Sequence, residues 1–312
     1  MRNHRIVLKK SAWPKKALAV FLVLLYIGSI DLDRSFAKAD SHPEITLGLG
    51  NFTFTDERGN ADKPMRVWFY RPQSLKINSP IVFVMHGVNR DAQRYCREWV
   101  PYADQYNFLL VCPEFDAANF SSQAYQRGNM FDQSKNQIPE AKWTFTTIEN
   151  LFDYVKTLIP NSSKGYYIYG HSAGGQFVHR FVLFMPNARY ERAIAANPGY
   201  YTMPVYSGHK FPYGLRDSNL GEKSLRKSFG RDFFLLLGQD DLDAQDPELR
   251  QTADAEEQGA TRFARGQNFF RAAQLEATDL GVPFKWQLRT VPFAHHSDAQ
   301  MAKAAAANFF GD

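Results

Sequence analysis

Short, almost unbroken apolar runs recur along this chain at residues 81–85, 108–112, 166–169, 193–196 and 233–237. Runs of four or five apolar residues without polar alternation suit strands buried on both faces of a sheet. Residues 92–105, 147–158 and 176–185 carry apolar positions at helical spacing between those runs, and Pro160 breaks the second of these helices. Residues 45–49 and 65–70 predict an opening antiparallel pair of strands around the turn-rich 56–63, and 284–291 predicts a last strand before a terminal helix. Strand alternating with helix in this way implies an α/β fold, with a mainly parallel central sheet and helices on both faces. Long interruptions at 115–142 and 199–231 carry aromatic residues that could wall an apolar pocket, with Tyr200, Tyr201 and Tyr213 as substrate-binding candidates.

The first 39 residues follow a different rule. Arg2, Arg5, Lys9, Lys10, Lys15 and Lys16 precede an apolar run at 17–30, and Ala37-Lys38-Ala39 then offers small residues for cleavage. This is the layout of a secretory signal peptide, so a secreted or periplasmic protein is expected. The alternative is an uncleaved membrane anchor carrying an extracytoplasmic domain, for which the run is short against the roughly 20 residues of a spanning helix. Residues 40–312 then form one catalytic domain, since no Ser/Gly/Pro linker and no internal repeat divides them.

The formal net charge of +5 belongs to that leader, because from residue 40 onward 29 basic side chains face 30 acidic ones. The domain therefore lacks the basic excess of a nucleic-acid footprint, and a membrane is a partner only if the N-terminal segment stays uncleaved. Cys96 and Cys112 fall on a predicted helix and the next strand. An oxidising compartment would permit a disulfide, but a helix packed on a sheet puts the backbones near the bridging limit of about 7 Å. A disulfide and a pair of buried thiols both stand.

The chemistry concentrates in Gly170-His171-Ser172-Ala173-Gly174, placed after the strand 166–169 and before the helix at 176. A serine on a sharp strand-to-helix turn is held clear of its neighbours, next to the unpaired amides of a helix start. A neutral hydroxyl is a weak nucleophile and needs a base, which in turn needs an orienting group. Acids follow the strand 233–237 in Gly238-Gln239-Asp240-Asp241-Leu242-Asp243; Asp241 is preferred, with Asp240 and Asp243 as competitors and a solvated acidic loop as the plain alternative. The base follows the last strand in Ala294-His295-His296, where His296 is preferred and His295 is a neighbour in packing or hydrogen bonding. Metal binding by these histidines lacks the H-E-x-x-H or cysteine pattern that would accompany it, so no metal and no cofactor are expected. The oxyanion donors would be the amides of Ala173 and of Val88, the latter in the loop His86-Gly87-Val88 after the strand 81–85. His86 and His171 read as structural. Arg262, Arg265 and Arg271 read as an exposed helix face rather than as contacts for an anionic substrate.

With His86-Gly87, Gly170 to Gly175, Gly238 to Asp241 and Val291 to His296 in this order, the chain resembles the α/β-hydrolase superfamily on its esterase and polyhydroxybutyrate-depolymerase-like side. The resemblance extends over nearly all of the chain after about residue 44. It implies a single α/β-hydrolase domain and a serine hydrolase that cleaves carboxylic esters, small or oligomeric, through an acyl-enzyme with Ser172, His296 and Asp241. A serine peptidase or amidase can use the same parts. A non-catalytic envelope binding protein on a hydrolase scaffold is the reading from another class.

Overall fold

The computed structural model describes residues 43–311, so the leader expected at 1–39 lies outside the described residues. In chain order the strands are β1 (Gly48–Phe54), β2 (Met65–Arg71), β3 (Ile81–Met85), β4 (Leu109–Pro113), β5 (Tyr166–His171), β6 (Tyr190–Ala196), β7 (Phe233–Gly238) and β8 (Gln287–Val291). The helices are α1 (Ala92–Tyr106), α2 (Ser122–Gln126), α3 (Thr144–Leu158), α4 (Ala173–Phe184), α5 (Glu222–Phe229), α6 (Ala253–Glu256), α7 (Arg262–Asp279) and α8 (Asp298–Phe310).

Every side chain of β3, β4 and β7 is buried, which is why these segments read as continuous apolar runs. Their alternation survives as a division between two cores. Ile81, Phe83 and Met85 pack on one face with Phe152, Phe177 and Phe181, whereas Val82 and Val84 pack on the other with Trp99 and Met301. Each such side chain contributes about 1.5–3 kcal/mol by leaving water.

The strands form one sheet in the order β1-β2-β4-β3-β5-β6-β7-β8. β1 pairs antiparallel with β2, and β2 antiparallel with β4; the remaining pairings are parallel. From β3 the chain moves outward to β4 and then returns past β3 to β5, so the direction of winding reverses between β3 and β5. A crevice opens at the carboxyl ends of strands at such a reversal, and ligands collect there. The loop after β3 and the turn after β5 flank it.

Two strands depart from the sequence expectation. β1 begins at Gly48 rather than at 45 and runs on to Phe54, in register with β2 from Gly48↔Arg71 to Phe54↔Met65; within it Gly50 leaves room for the neighbouring Phe69 ring, which a Cβ would strike. β8 begins at Gln287 rather than 284, because Lys285 N–H donates to Phe229 O and Trp286 Nε1 donates to Ser228 O, tying this approach to the end of α5 instead of to β7. Cys96 on α1 and Cys112 on β4 are free, buried thiols in contact with one another. No helix of the described residues is long and apolar enough to cross a membrane.

Candidate active site

Ser172 is the single residue between β5 and α4, at φ 56° and ψ −113°. A side chain in that left-handed region is strained, so the surroundings must hold it there. Its N–H donates to Ala196 O at 3.0 Å, and its carbonyl accepts from Gln176 N at 2.9 Å. The turn is tight enough that a Cβ on Gly170 would strike the Gly174 carbonyl, and one on Gly174 would strike that of Met85. Glycine at both positions lets β3, β5 and α4 close around the serine.

Asp241 and His296 leave the carboxyl ends of β7 and β8, which are held level by the Gly238↔Val291 pairing. His296 Nδ1 lies 2.8 Å from Asp241 Oδ2. A carboxylate only accepts, so Nδ1 carries the proton and Nε2 presents its lone pair. Nε2 is buried and has no partner among the described residues. Asp241, 2% exposed, also meets Arg262 Nη1 at 3.4 Å, and Arg262 reaches Asp246 at 2.7 Å. Of the competing groups, Asp240 offers only its carbonyl, at 3.2 Å from His295 Nδ1, and Asp243 accepts from Gln245 N in its own loop.

Ser172 and His296 line one cavity of about 250 Å³, together with Gly87, Val88 and His171. The rest of its lining is polar: Asn89, Arg94, Tyr95, Glu248, Ser297 and Asp298. The amides of Val88 and Ala173, one in the loop after β3 and one at the start of α4, donate to no acceptor among the described residues. Both sit beside Ser172 at the crevice between β3 and β5, where a helix start favours negative charge.

The two other histidines near the serine are neutral and structural. His86 Nε2 accepts from Phe115 N at 3.1 Å and Nδ1 donates to Gly87 O at 2.9 Å, while burial pulls its pKa down to about 4. His171 lies 3.1 Å from the Tyr95 hydroxyl and packs its ring on that of His296, centroids 4.6 Å apart. Burial, and then the neighbouring His296, hold its pKa well below the usual histidine value.

The tyrosines named from the sequence do not line this cavity. Tyr201 is fully buried and stacks on Phe269 at 4.6 Å, so its ring faces core rather than solvent. Tyr200 and Tyr213 pack on one another at 5.2 Å, with Arg180 over the Tyr200 ring at 4.7 Å. Rings in an irregular insertion gain more by pinning it to the domain than by waiting in water for a ligand.

Arg262 and Arg265 also correct the sequence reading, since they are 1% and 0% exposed rather than on a solvated face. Arg265 Nη1 donates to Gly199 O at 2.7 Å. Polar spacing on α7 gave no sign that the acids after β7 would draw this face inward. Asn197 was missed as well: its Oδ1 accepts from Gly238 N at 2.8 Å and its Nδ2 donates to His295 O at 3.3 Å, which ties together the loops that carry the acid and the base. Among the described residues no three His, Cys, Asp or Glu side chains gather as a metal site.

No family model and no curated protein matches the chain. Solved structures do. Poly(aspartic acid) hydrolase-1 from Sphingomonas sp. KT-1 is 38% identical, with a TM-score of 0.82 over 86% of this chain and 100% of its own. The poly(3-hydroxybutyrate) depolymerase from Bordetella parapertussis is 32% identical, with a TM-score of 0.80 over 85% of this chain and 91% of its own. An S-formylglutathione hydrolase from Agrobacterium tumefaciens, 16% identical with a TM-score of 0.55 over 87% of this chain and 99% of its own, shares the fold.

Proposed function

The chain belongs to the α/β-hydrolase superfamily, and from that premise we propose that it cleaves carboxylic esters through an acyl-enzyme, with Ser172, His296 and Asp241 as its triad. The observation that carries this reading is the 2.8 Å bond from His296 Nδ1 to Asp241 Oδ2, with Nε2 left unpartnered beside the cavity that Ser172 lines. Nε2 takes the hydroxyl proton as Ser172 Oγ attacks the carbonyl carbon, and Asp241 steadies the imidazolium that forms. The Val88 and Ala173 amides receive the oxyanion, a contribution of about 3–4 kcal/mol for one donor in a comparable site. The tetrahedral species collapses, the alcohol leaves with the proton from Nε2, and a water deprotonated by Nε2 then releases the acid. No step calls for a cofactor.

Amide cleavage is the second reading, supported by the 38% identical relative, which is named for poly(aspartic acid), a polymer joined by amide bonds. Steady-state rates on matched short acyl esters and amides separate the two. Equal ester hydrolysis by the wild type and Ser172→Ala would end both, and a folded protein that a fluorophosphonate fails to label would favour a binding role. Export through residues 1–39 joins this proposal and is tested by sequencing the N-terminus of the mature protein.

A further inference from the structure

Three arginines meet around one tyrosine with no carboxylate to balance them. Arg180 of α4 is fully buried; its Nε donates to Thr202 Oγ1 at 2.9 Å and its Nη1 to the carbonyls of Gln126 and Gln176. Arg127 Nε donates to the Tyr200 hydroxyl at 3.2 Å, and Arg250 Nε donates to the Tyr213 hydroxyl at 3.2 Å. Among the described residues, no Asp or Glu oxygen lies within 4.0 Å of any of these guanidiniums. Burial raises the pKa of the Tyr200 phenol, yet Arg180 and then Arg127 outweigh it and hold that pKa below the ordinary value. The region carries positive potential that the chain itself leaves uncompensated, and buried charge is costly without a counter-charge.

Arg127 also opens onto a cavity of about 490 Å³, against about 250 Å³ at Ser172. That larger volume falls in the range of organic ligand sites. The cavity lies between the two insertions, and its apolar side is the Phe131–Phe211 pair, centroids 5.3 Å apart. Lys135 and Lys210 stand at its rim. Its two acids have partners of their own: Asp132 accepts from the backbone and side chain of Asn136, and Asp217 pairs with Lys210 within the cavity lining at 2.8 Å, so three cations face two carboxylates. Arg127 and Lys135 line the cavity, and among the described residues neither has a carboxylate oxygen within 4.0 Å.

The partition from the proposed catalytic cavity is α2. Gln123 faces the larger cavity, while Tyr125, about 200° further round the helix, donates its hydroxyl to His86 O beside the crevice. Along α4, Ser172 and Arg180 are about 12 Å apart. The cavities also differ in sign. At Ser172, Arg94 is already spent on Asp91 and Glu98, and Glu248 adds a further acid.

We propose that the cavity between the insertions is a second binding site, for the carboxylate of an organic acid with an apolar body. The carboxylate lies against Arg127 with Lys135 at the rim, and the body rests on Phe131 and Phe211. Arginine suits this because its fork of N–H donors matches a carboxylate. Two sources carry this chemistry: an acid released at Ser172, and the acid end of a longer substrate.

The test is calorimetric titration with phenylbutyrate and with its neutral amide, on native protein and on protein inactivated by a fluorophosphonate. One saturable site is expected for the acid, at least tenfold tighter than for the amide, and unchanged by inactivation. Arg127→Gln should weaken it at least tenfold and Lys135→Gln severalfold. Lys135 is exposed, so its variant keeps the test open if Arg127→Gln does not fold. Equal affinity for acid and amide, no binding, unchanged affinity in both variants, or loss of binding on inactivation would each overturn the proposal. The titration does not depend on hydrolysis, so a failure of the Ser172 reading is seen separately as absent labelling and absent turnover. Where that reading holds, the source follows from kinetics. A lower KM for an ester carrying a distal carboxylate than for its methyl-capped counterpart, found at some length in a series of spacers, assigns the site to a substrate end, and equal KM values at every length assign it to a released acid.

Discussion

The Asp241 carboxylate meets His296 Nδ1 at 2.8 Å although 55 residues separate them in the chain. Their strands are neighbours in the sheet, so each side chain leaves a carboxyl end at nearly the same level. Arg262 and Asp246 close the far side of the carboxylate, which keeps it from turning away. A base oriented in this way keeps one tautomer, and that geometric condition is what a serine nucleophile needs.

Replacing Asp241 with Asn keeps the shape and removes the charge that selects the tautomer. Ester turnover should fall by about 10⁴-fold in kcat with little change in KM. Steady-state kinetics on a variant whose circular dichroism matches wild type checks this, and a loss below tenfold would remove Asp241 from the role.

Asn197 combines a left-handed backbone, φ 44°, with hydrogen bonds to Gly238 and His295. Asn197→Ala loses both bonds and with them the short polar side chain that tolerates a left-handed backbone, so about 2–3 kcal/mol of stability should go. Asn197→Gly should recover about 1 kcal/mol of that by relaxing the backbone alone. Urea unfolding of the three proteins gives the comparison; equal stability of the Ala and Gly variants would contradict the backbone part.

Acid should unfold the protein before its carboxylates are protonated. Burial lowers the pKa of His86 to about 4 and holds His171 and His179 well below the ordinary histidine value. The unfolded chain binds protons near pH 6.5, as a histidine ordinarily does, while the folded chain refuses them. Stability is therefore fully present above about pH 6.5 and falls as pH drops toward 4, by up to about 1.4 kcal/mol per pH unit for each such histidine. Urea midpoints between pH 7 and 4.5 report the slope, and a flat profile would sink this account.

Asp298 acts with the opposite sign. Burial first, and then the nearby Glu98, raise its pKa well above the usual carboxylate value, and its Oδ2 is unpartnered among the described residues. The unfolded chain releases this proton near the ordinary carboxyl pKa, so the stability contribution is full below that point and is lost as pH rises toward the folded value. Asp298→Asn keeps an acceptor for the Tyr169 hydroxyl, now at 2.8 Å, and should gain more stability at pH 8 than at pH 4. Thermal melts at both pH values check the difference; a larger gain at pH 4 would reverse the assignment.

The sheet was largely legible because each buried strand is a local signal: four or five consecutive apolar residues need no knowledge of their neighbours in space. The helices at 92, 147 and 176 followed from periodicity in the same way. α2 and α5 were not read, since both lie in insertions where short helices compete with turns and no long periodic face announces them.

The sequence by itself determined the alternation of strand and helix, the serine turn with its glycines, and the short stretches after β7 and β8 in which an acid and a base had to lie. Only the tertiary structure decided that Asp241 rather than Asp240 or Asp243 meets His296, that Arg262 stands behind it, and that Tyr200, Tyr201 and Tyr213 pack away from Ser172. The reason is range. Backbone preference and apolar periodicity act between residues a turn or a strand apart, whereas the partner of a buried charge or ring is chosen by whatever distant element the fold packs against it.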